Sequence, residues 1–350
     1  MAKNTKEQVL ALLKESVNQF RSGQEIAEKL FVTRASVWKA IRALQNDGYR
    51  IEAVTNKGYR LFRSLDDLDA TKIRTFLTGY VSRDVPGSTA HADISAPASS
   101  LLKDLAGHIH VYDRVDSTNT VVSHMQDLPA AVAIADQQTA GRGRRGRSFH
   151  SPSGSGIYMS ILLHPDDTTD LATGFTCMMA VAVCRAVRSV LGIQPEIKWV
   201  NDLFFEGKKV AGILTEGTVS VEDNTISGVI IGMGLNVYCP SEGFPKELRD
   251  VAGSLLKREA VDADIRNRLC AAILCEFCKI CTGMDRHAFA EEYRSYSMLI
   301  GKYVRITDFS DHSYRYACVE DIDDDCHLCV RYENGTKEVL STGEVSVTRY

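Results

Sequence analysis

Gly141-Arg142-Gly143-Arg144-Arg145-Gly146-Arg147-Ser148 is the stretch on which the reading of the central fold turns. It holds three glycines and four arginines and no acid. Its spacing satisfies the dinucleotide fingerprint G-x-G-x-x-G. With Arg147 in place of the required lysine, it also satisfies the phosphate loop G-x-x-x-x-G-K-[ST]. Both motifs hold phosphate at the N-terminus of a helix that follows at once. Here Ser151-Pro-Ser-Gly-Ser-Gly156 follows, and then Ile157–Leu163, an apolar run that reads as a strand. Neither nucleotide-binding fold fits. What survives is flexible backbone with clustered guanidinium groups, suited to close around phosphates and a carboxylate. A solvated basic loop or nucleic-acid patch is the plain alternative.

Outward from this loop the pattern is α+β. Ile109–Val115 and Ala131–Asp136 read as strands before it. After it come a helix from Asp170 to about Leu191, then strands Glu196–Val200 with Leu203–Phe205, Val210–Glu216 and Thr225–Val237. Helices Asp262–Met284 and Arg286–Ser297 close the unit. Lys198-Trp-Val-Asn-Asp202 precedes Lys209, which opens an apolar strand after a tight turn. That position holds an ammonium rigidly near a substrate, while Gly212 lets a ligand approach the backbone. Alone, Trp-Val-Asn-Asp is also a strand-ending turn. Asp116-Ser-Thr-Asn119 places short polar side chains after a strand, a pattern that by itself is a helix cap before it is a site.

The N-terminal 63 residues carry 12 Lys/Arg against 6 Asp/Glu, so a module of charge +6 is attached to a body of charge −10. That asymmetry points to a local polyanion contact. Helical faces are expected over Glu7–Ser16, Glu25–Leu30 and Arg34 to about Asp47, the last capped by Thr33 and ended by Gly48. Its apolar positions 37, 38, 41 and 44 leave Arg34, Ser36, Lys39, Arg42 and Gln45 on the other face. Two short strands joined by Thr55-Asn56-Lys57 follow. Three helices and a hairpin describe a winged helix-turn-helix, with a helical protein–protein adaptor as the alternative. Basic charge on the third helix and the hairpin tip favours DNA.

Residues 65–107 read as a connector. Asp66–Thr78 is a candidate helix, whereas Pro86-Gly-Ser-Thr and Ser95-Ala-Pro-Ala-Ser-Ser look flexible. After Gly301 the pattern is strand and turn, with Asn334-Gly335 a hairpin signal. The start of the chain lacks the apolar core of a signal peptide, and no uncharged apolar run approaches the roughly 20 residues of a membrane span, so a cytosolic chain is expected. Ten cysteines are then thiols before disulfides. Cys270, Cys275, Cys278 and Cys281 lie on an amphipathic helical pattern and read as small core residues. They and Cys326-His-Leu-Cys329 lack complete ligand spacing. With 44% hydrophobic and 25% charged residues, wholesale disorder and collagen-like or coiled-coil repeats are excluded.

Ser117-Thr-Asn119, Gln138 three residues before the arginine loop, Lys198-Trp-x-Asn-Asp202, Lys209-x-Ala-Gly-Ile-Leu214 and Gly232-Met-Gly-Leu-Asn236 stand in the order and spacing of biotin protein ligases. The winged helix makes the chain resemble the bifunctional members that also repress biotin operons. Val200 departs from the family's usual proline. The resemblance implies an α+β multidomain protein: a winged helix-turn-helix over 1–64, a linker or insertion over 65–107, a class II synthetase-like mixed α/β ligase domain over 108–299, and an SH3-like β-barrel over 300–350.

The implied activity joins biotin to ATP, with Mg2+, as biotinyl-5'-AMP and passes biotin to a lysine of the biotin carboxyl carrier protein of acetyl-CoA carboxylase. Operator DNA and a homodimer formed when the adenylate is bound are the other implied partners, with no membrane. On this resemblance Lys209 and Arg144 are the catalytic candidates. Ser117, Thr118, Asn119, Gln138, Arg142, Gly143, Arg144 and Lys209 bind biotin. Arg142, Arg144, Arg147, Asn201, Asp202 and Asn236 serve the nucleotide, with Asn201 and Asp202 also the candidates for its metal. Thr33, Arg34, Ser36, Lys39, Arg42 and Lys57 meet DNA, and Trp199 is core packing. A ligase-dead biotin sensor would have lost Lys209 or the arginines, all of which are present. A lipoate or other acyl-adenylate transferase is disfavoured by the intact arginine loop.

Overall fold

The computed structural model describes residues 5–16, 19–46, 49, 51–61, 66–82, 94–165, 171–219, 226–257, 264–307, 313–341 and 344–347. Helices α1 (Thr5–Glu15), α2 (Gly23–Leu30) and α3 (Arg34–Asn46) precede a hairpin of β1 (Ile51–Val54) and β2 (Gly58–Leu61). Helices α2 and α3 start where a hydroxyl satisfies an orphan amide. Ser22 accepts from the Glu25 amide at 3.0 Å, and Thr33 from the Ser36 amide at 3.1 Å. Val9, Leu13, Ile26, Val37, Ile41 and Leu44 form a separate small core. Trp38, expected on that apolar stripe, is instead half exposed, with the Arg42 guanidinium 5.5 Å from its ring centre; Ala40 takes the buried position. Gly58 (φ 99°) is obligatory at the wing, because a Cβ there would land on the Arg21 carbonyl, which pairs with the Tyr59 amide at 2.8 Å. The Gly48 stop lies outside the described residues.

The stretch 65–107, expected as a connector with a candidate helix over Asp66–Thr78, holds two helices that join the central unit's core. Helices α4 (Ala70–Ser82) and α5 (Ala96–Gly107) occupy most of it and bury Ile73, Leu77, Ala98, Leu102 and Leu105 in the main core. Ser95 and Pro97 are a helix start rather than breakers: the Ser95 hydroxyl caps the Ala98 amide at 3.3 Å, and proline is tolerated in a first turn, whose amides lack intrahelical partners. Pro86-Gly-Ser-Thr lies outside the described residues.

The central unit runs β3 (Ile109–Val115), α6 (Thr118–Ser123), β4 (Ala130–Gln138), β5 (Gly156–Leu163), α7 (Leu171–Leu191), β6 (Glu196–Lys198), β7 (Asp202–Phe205), β8 (Lys208–Val219), β9 (Ile226–Asn236), α8 (Ile265–Gly283) and α9 (Arg286–Tyr296). Its seven strands are ordered β3-β4-β5-β9-β8-β7-β6, and β3/β4 is the parallel pair. Alternation along each strand divides the sheet into two faces. Val132, Ile134, Ile161 and Ile231 pack beneath α7 and α8, while Ala131, Ala133, Leu162 and Ile230 pack against α6 on the opposite face, where the site lies. Within α7, Thr173–Leu191 is long and apolar enough in composition to cross a membrane. It nonetheless carries Arg185, paired with Glu276 and Glu292, and its residues Cys177 and Met179 to Cys184 are all buried in the core.

Strands β10 (Tyr303–Thr307), β11 (Tyr314–Ile322), β12 (Leu328–Tyr332), β13 (Lys337–Leu340) and β14 (Glu344–Val347) form an antiparallel sheet ordered β13-β12-β11-β10-β14. The Asn334-Gly335 turn joins β12 to β13, with Gly335 at φ 83°. Trp199 reaches this unit, its indole N–H donating to the Cys326 carbonyl at 2.8 Å, so its expected packing role is also a tether.

Cys270, Cys275 and Cys278 are buried in α8, where burial pushes their thiols up, Cys275 to about 11. Among the described residues no three His, Cys, Asp or Glu side chains are grouped to hold a metal ion. One buried cation joins distant parts of the chain. Arg266, 2% exposed, donates to the Asp66 carbonyl at 2.9 Å, to Asp136 Oδ1 at 2.6 Å and to the Gly156 carbonyl at 3.1 Å. Tyr238 donates to Asp66 Oδ2 at 2.8 Å, and Asp136 in turn accepts from the Ser153 hydroxyl and the Gly154 amide.

Candidate functional site

A cavity of about 310 Å³, the low end of the usual range for a small-molecule site, opens on the α6 face of the central sheet. Its floor is bare because three strand positions are glycine. Gly212 pairs with Gly234 and Leu214 with Gly232, all on the α6 face. A Cβ on Gly232 would strike Asn119, and one on Gly234 would lie 2.5 Å from the Phe149 ring. Gly212, on the cavity wall, also clears the stem of Lys209, 3.3 Å from where a Cβ would stand.

At one end sits a polar cradle. Ser117 precedes α6 without capping it and lines the cavity together with Thr118 and Asn119. Gln138 Oε1 accepts from the Thr118 amide at 2.8 Å and hydroxyl at 3.1 Å, while its Nε2 donates to Ser151 at 3.0 Å. Ser160 was not singled out from the sequence. It is the polar residue within the apolar strand β5, fully buried, with its hydroxyl 2.7 Å from Thr118 Oγ1 and 2.6 Å from Asn119 Oδ1.

The arginine loop forms the other wall. It closes on itself through the Gly143 amide to the Arg147 carbonyl (2.7 Å) and the Phe149 amide to the Gly141 carbonyl (2.8 Å). Gly141 has no room for a side chain, since a Cβ would lie 2.6 Å from the Phe149 carbonyl; Gly146, at φ 72°, is needed for its backbone. Strand β5 follows the loop, as its sequence context required. Arg142, Gly143, Arg144 and Arg147 all line the cavity, and Arg144 donates to Asn201 Oδ1 at 3.1 Å. Opposite them, Lys209 Nζ lies 2.6 Å from Asp202 Oδ1, which also accepts from Asn201 at 3.0 Å. Turn residues Glu206 (φ 50°) and Gly207 (φ 71°) set Lys209 at the start of β8.

The structure therefore brings together Ser117, Thr118, Asn119, Gln138, Arg142, Gly143, Arg144, Arg147, Asn201, Asp202 and Lys209. It does not bring Asn236 to the cavity wall. The Asn236 amide donates to the Gly253 carbonyl at 3.0 Å and holds the segment after β9. Glu216, also absent from the sequence reading as a site residue, accepts from Asn119 at 2.6 Å and lies 3.1 Å from Arg142.

In the N-terminal unit, Arg34, Lys39 and Arg42 are exposed on α3, with Thr33 and Ser36 joined at 2.9 Å at its start. Lys57 lies at the wing tip, its ammonium 5.8 Å from the Phe20 ring centre. Gln45 is drawn off that face to donate to the Ile51 carbonyl at 2.8 Å. Phe31, 96% exposed in the turn before α3, and Trp38 were not expected there; an exposed aromatic in a basic module is the signal that marks them.

Three families match successive parts of the chain: an HTH domain over residues 5–60, the biotin/lipoate A/B protein ligase family over 111–236, and the biotin protein ligase C-terminal domain over 299–347. The bifunctional ligase/repressor BirA of Bacillus spizizenii is 33% identical over 97% of this chain and 98% of its own length. That of Bacillus subtilis is 32% identical over the same shares. Among solved structures, the biotin protein ligase of Aquifex aeolicus in complex with biotin and ATP matches 69% of this chain and 99% of its own, at 26% identity and a TM-score of 0.59. With a DNA-binding unit, a ligase core and a ligase C-terminal domain matched in order along nearly its whole length, the chain belongs to the family of bifunctional biotin protein ligase/repressors.

Proposed function

We propose that the cavity binds biotin at the polar cradle and ATP beneath the arginine loop, and that the chain forms biotinyl-AMP there. The observation that carries this reading is the convergence of cations, Arg142, Arg144, Arg147 and Lys209 with Arg145 and Lys198, on the cavity that also holds one neutral hydrogen-bonding cradle. A ureido ring has one acceptor and two donors and loses affinity where they go unmatched; Ser117, Thr118, Asn119 and Gln138 supply both kinds. The biotin carboxylate attacks the α-phosphorus of ATP, the bond to pyrophosphate breaks, and a mixed anhydride results. Both reactants are anions, so positive charge held in place lowers their repulsion and stabilises the charge that builds in the transition state. Lys209, fixed against Asp202, faces the carboxylate and acyl-phosphate; Arg144 and Arg147 face phosphate. Asn201 and Asp202 are the residues for the nucleotide and for Mg2+. Asp202 is the carboxylate on the cavity wall, which fits an ion that binds through one or two carboxylates and substrate phosphates and neutralises phosphate charge.

In the second half-reaction the amine of a carrier-protein lysine attacks the acyl carbon and AMP leaves. The carrier is the biotin carboxyl carrier protein. The basic face of α3 and the wing bind operator DNA, and a single winged helix of this kind reads a two-fold operator as a homodimer. Strand β3, at the edge of the seven-stranded sheet, is the place for two central sheets to join. Incubation with labelled biotin, ATP and purified carrier domain tests the reading: ATP-dependent label on one carrier lysine is expected. Label transferred from lipoate and not from biotin would overturn it.

A further inference from the structure

Glu216 sits where an acid is out of place, beside two substrates that are both anions. Along β8 the residues facing α6 alternate as Gly212, Leu214 and Glu216; the first two line the cavity and Glu216 lies just beyond it. Its Oε2 accepts the Asn119 side-chain amide at 2.6 Å and lies 3.1 Å from Arg142 Nη2. We propose that Glu216 is the latch that docks the arginine loop on the sheet, a positioning residue that acts through Arg142 and Asn119 and touches neither substrate. The proposal rests on the biotin and ATP reading of the cavity.

Side-chain contacts tie the loop to the walls on both sides of the cavity. Arg144 reaches Asn201, in the turn between β6 and β7, and Arg142 reaches Glu216 on β8. The same carboxylate sets the cradle. A carboxylate only accepts, so it holds Asn119 with Nδ2 towards β8 and Oδ1 towards the Ser160 hydroxyl at 2.6 Å. Ser160, Asn119 and Glu216 thus form a chain of hydrogen bonds that an ion pair extends to Arg142, and the loop docks in register with the orientation of the biotin cradle. A charge-assisted hydrogen bond is about twice as strong as a neutral one, which makes Glu216 the strongest link. Its side chain is 34% exposed, so the latch weakens with salt and opens readily, as a loop that admits substrate must.

The test reads the empty protein as well as the reaction. Trypsin cuts after the loop arginines. In ligand-free protein at low salt, Glu216→Gln is expected to be cut within residues 142–147 about tenfold faster than the native chain, with saturating biotin and ATP closing the gap. KM for biotin should rise about tenfold with kcat within twofold, and Glu216→Asp, which keeps the charge, should recover part of both. Equal digestion of native and variant protein overturns the latch, as does a fall in kcat with KM unchanged. Should Glu216→Gln prove poorly folded, Arg142→Gln loosens the same contact from the loop side. The double variant should then be cut after Arg144, Arg145 and Arg147 no faster than either single one, and additive acceleration overturns the proposal. The digestion arm needs no ligase activity, so a native protein that transfers no biotin would defeat the functional reading while leaving the latch to be judged on its own.

Discussion

Replacing Gly232 with alanine tests the whole cradle through one methyl group. The new Cβ would lie inside contact distance of Asn119 Oδ1, 2.9 Å from its Cγ and 3.0 Å from its Nδ2. Asn119 cannot give way without leaving Ser160 and Glu216, its partners at 2.6 Å each. A neutral hydrogen bond contributes about 1 kcal/mol and one to a carboxylate about 2 kcal/mol, so expelling Asn119 forfeits about 3 kcal/mol. Those bonds are lost with or without biotin and so count against stability, whereas the displaced Asn119 also no longer meets biotin; losing about 2 kcal/mol of hydrogen bonding to the ligand should weaken biotin binding to Gly232→Ala about thirtyfold, read by titration calorimetry. At roughly 2–4 °C per kcal/mol for a unit of this size, Tm should fall by several degrees. Gly174→Ala is the control: nothing lies within 4 Å of its new Cβ in the first turn of α7, and alanine is the better helix former there. In an Asn119→Ala background the Gly232→Ala change should cost almost nothing more, because the side chain it displaces is gone. Biotin affinity within threefold of native, or a double variant that loses the sum of both single effects, would refute the argument.

Lys209→Ala should slow adenylation by two to three powers of ten, the scale of losing one preorganised donor, and leave Asp202 without its 2.6 Å partner; pyrophosphate release near the native rate would count against it. Arg34→Ala and Lys39→Ala should weaken operator binding, measured by fluorescence anisotropy, and lessen its salt dependence while biotin transfer stays native; loss of both activities would place α3 in the ligase. His287, held 3.0 Å from Asp324 across α9 and the β11–β12 turn, is raised above its ordinary value by that hydrogen bond, so its contribution to stability is complete below about pH 6.5 and is lost as pH rises through the raised value. Melting curves of native protein and His287→Ala should therefore differ at pH 6 and converge in alkali, and a constant gap would sink the idea. The α8 thiols, buried and pushed up, should resist alkylation in native protein and react on unfolding, whereas half-buried Cys239 should label first.

What could be read in the sequence was whatever broke a local pattern. Four arginines without an acid, and Ser-Thr-Asn directly after a strand, are conspicuous in one dimension, and the structure gathers them around one cavity. Ser160 is a lone small polar residue in an apolar strand and Glu216 one of several polar residues in β8, and their meaning comes from Asn119, 41 and 97 residues away, which no local spacing encodes. Asn236 lies two residues beyond Gly234 on the same face of β9, and at the strand's end its amide donates to the Gly253 carbonyl, a partner that no local spacing encodes. Residues 95–97 misled: serine and proline break a helix from within and start one from its end, and only packing against α8 decides which.

Arg266 bears on how this protein can be taken apart. A truncation meant to isolate the enzyme would naturally begin at α4, the first helix after the wing, and would discard Asp66 with the DNA-binding unit. Arg266 would then keep its place 2.6 Å from Asp136 but lose the carbonyl and carboxylate that share its charge, and a buried ion robbed of one partner costs several kcal/mol. The loss would be felt at Ser153 and Gly154, which Asp136 holds a few residues beyond the arginine loop. Fragments cut on either side of Asp66 are thus different objects: one is an enzyme without its reader, and the other is an enzyme with a damaged floor.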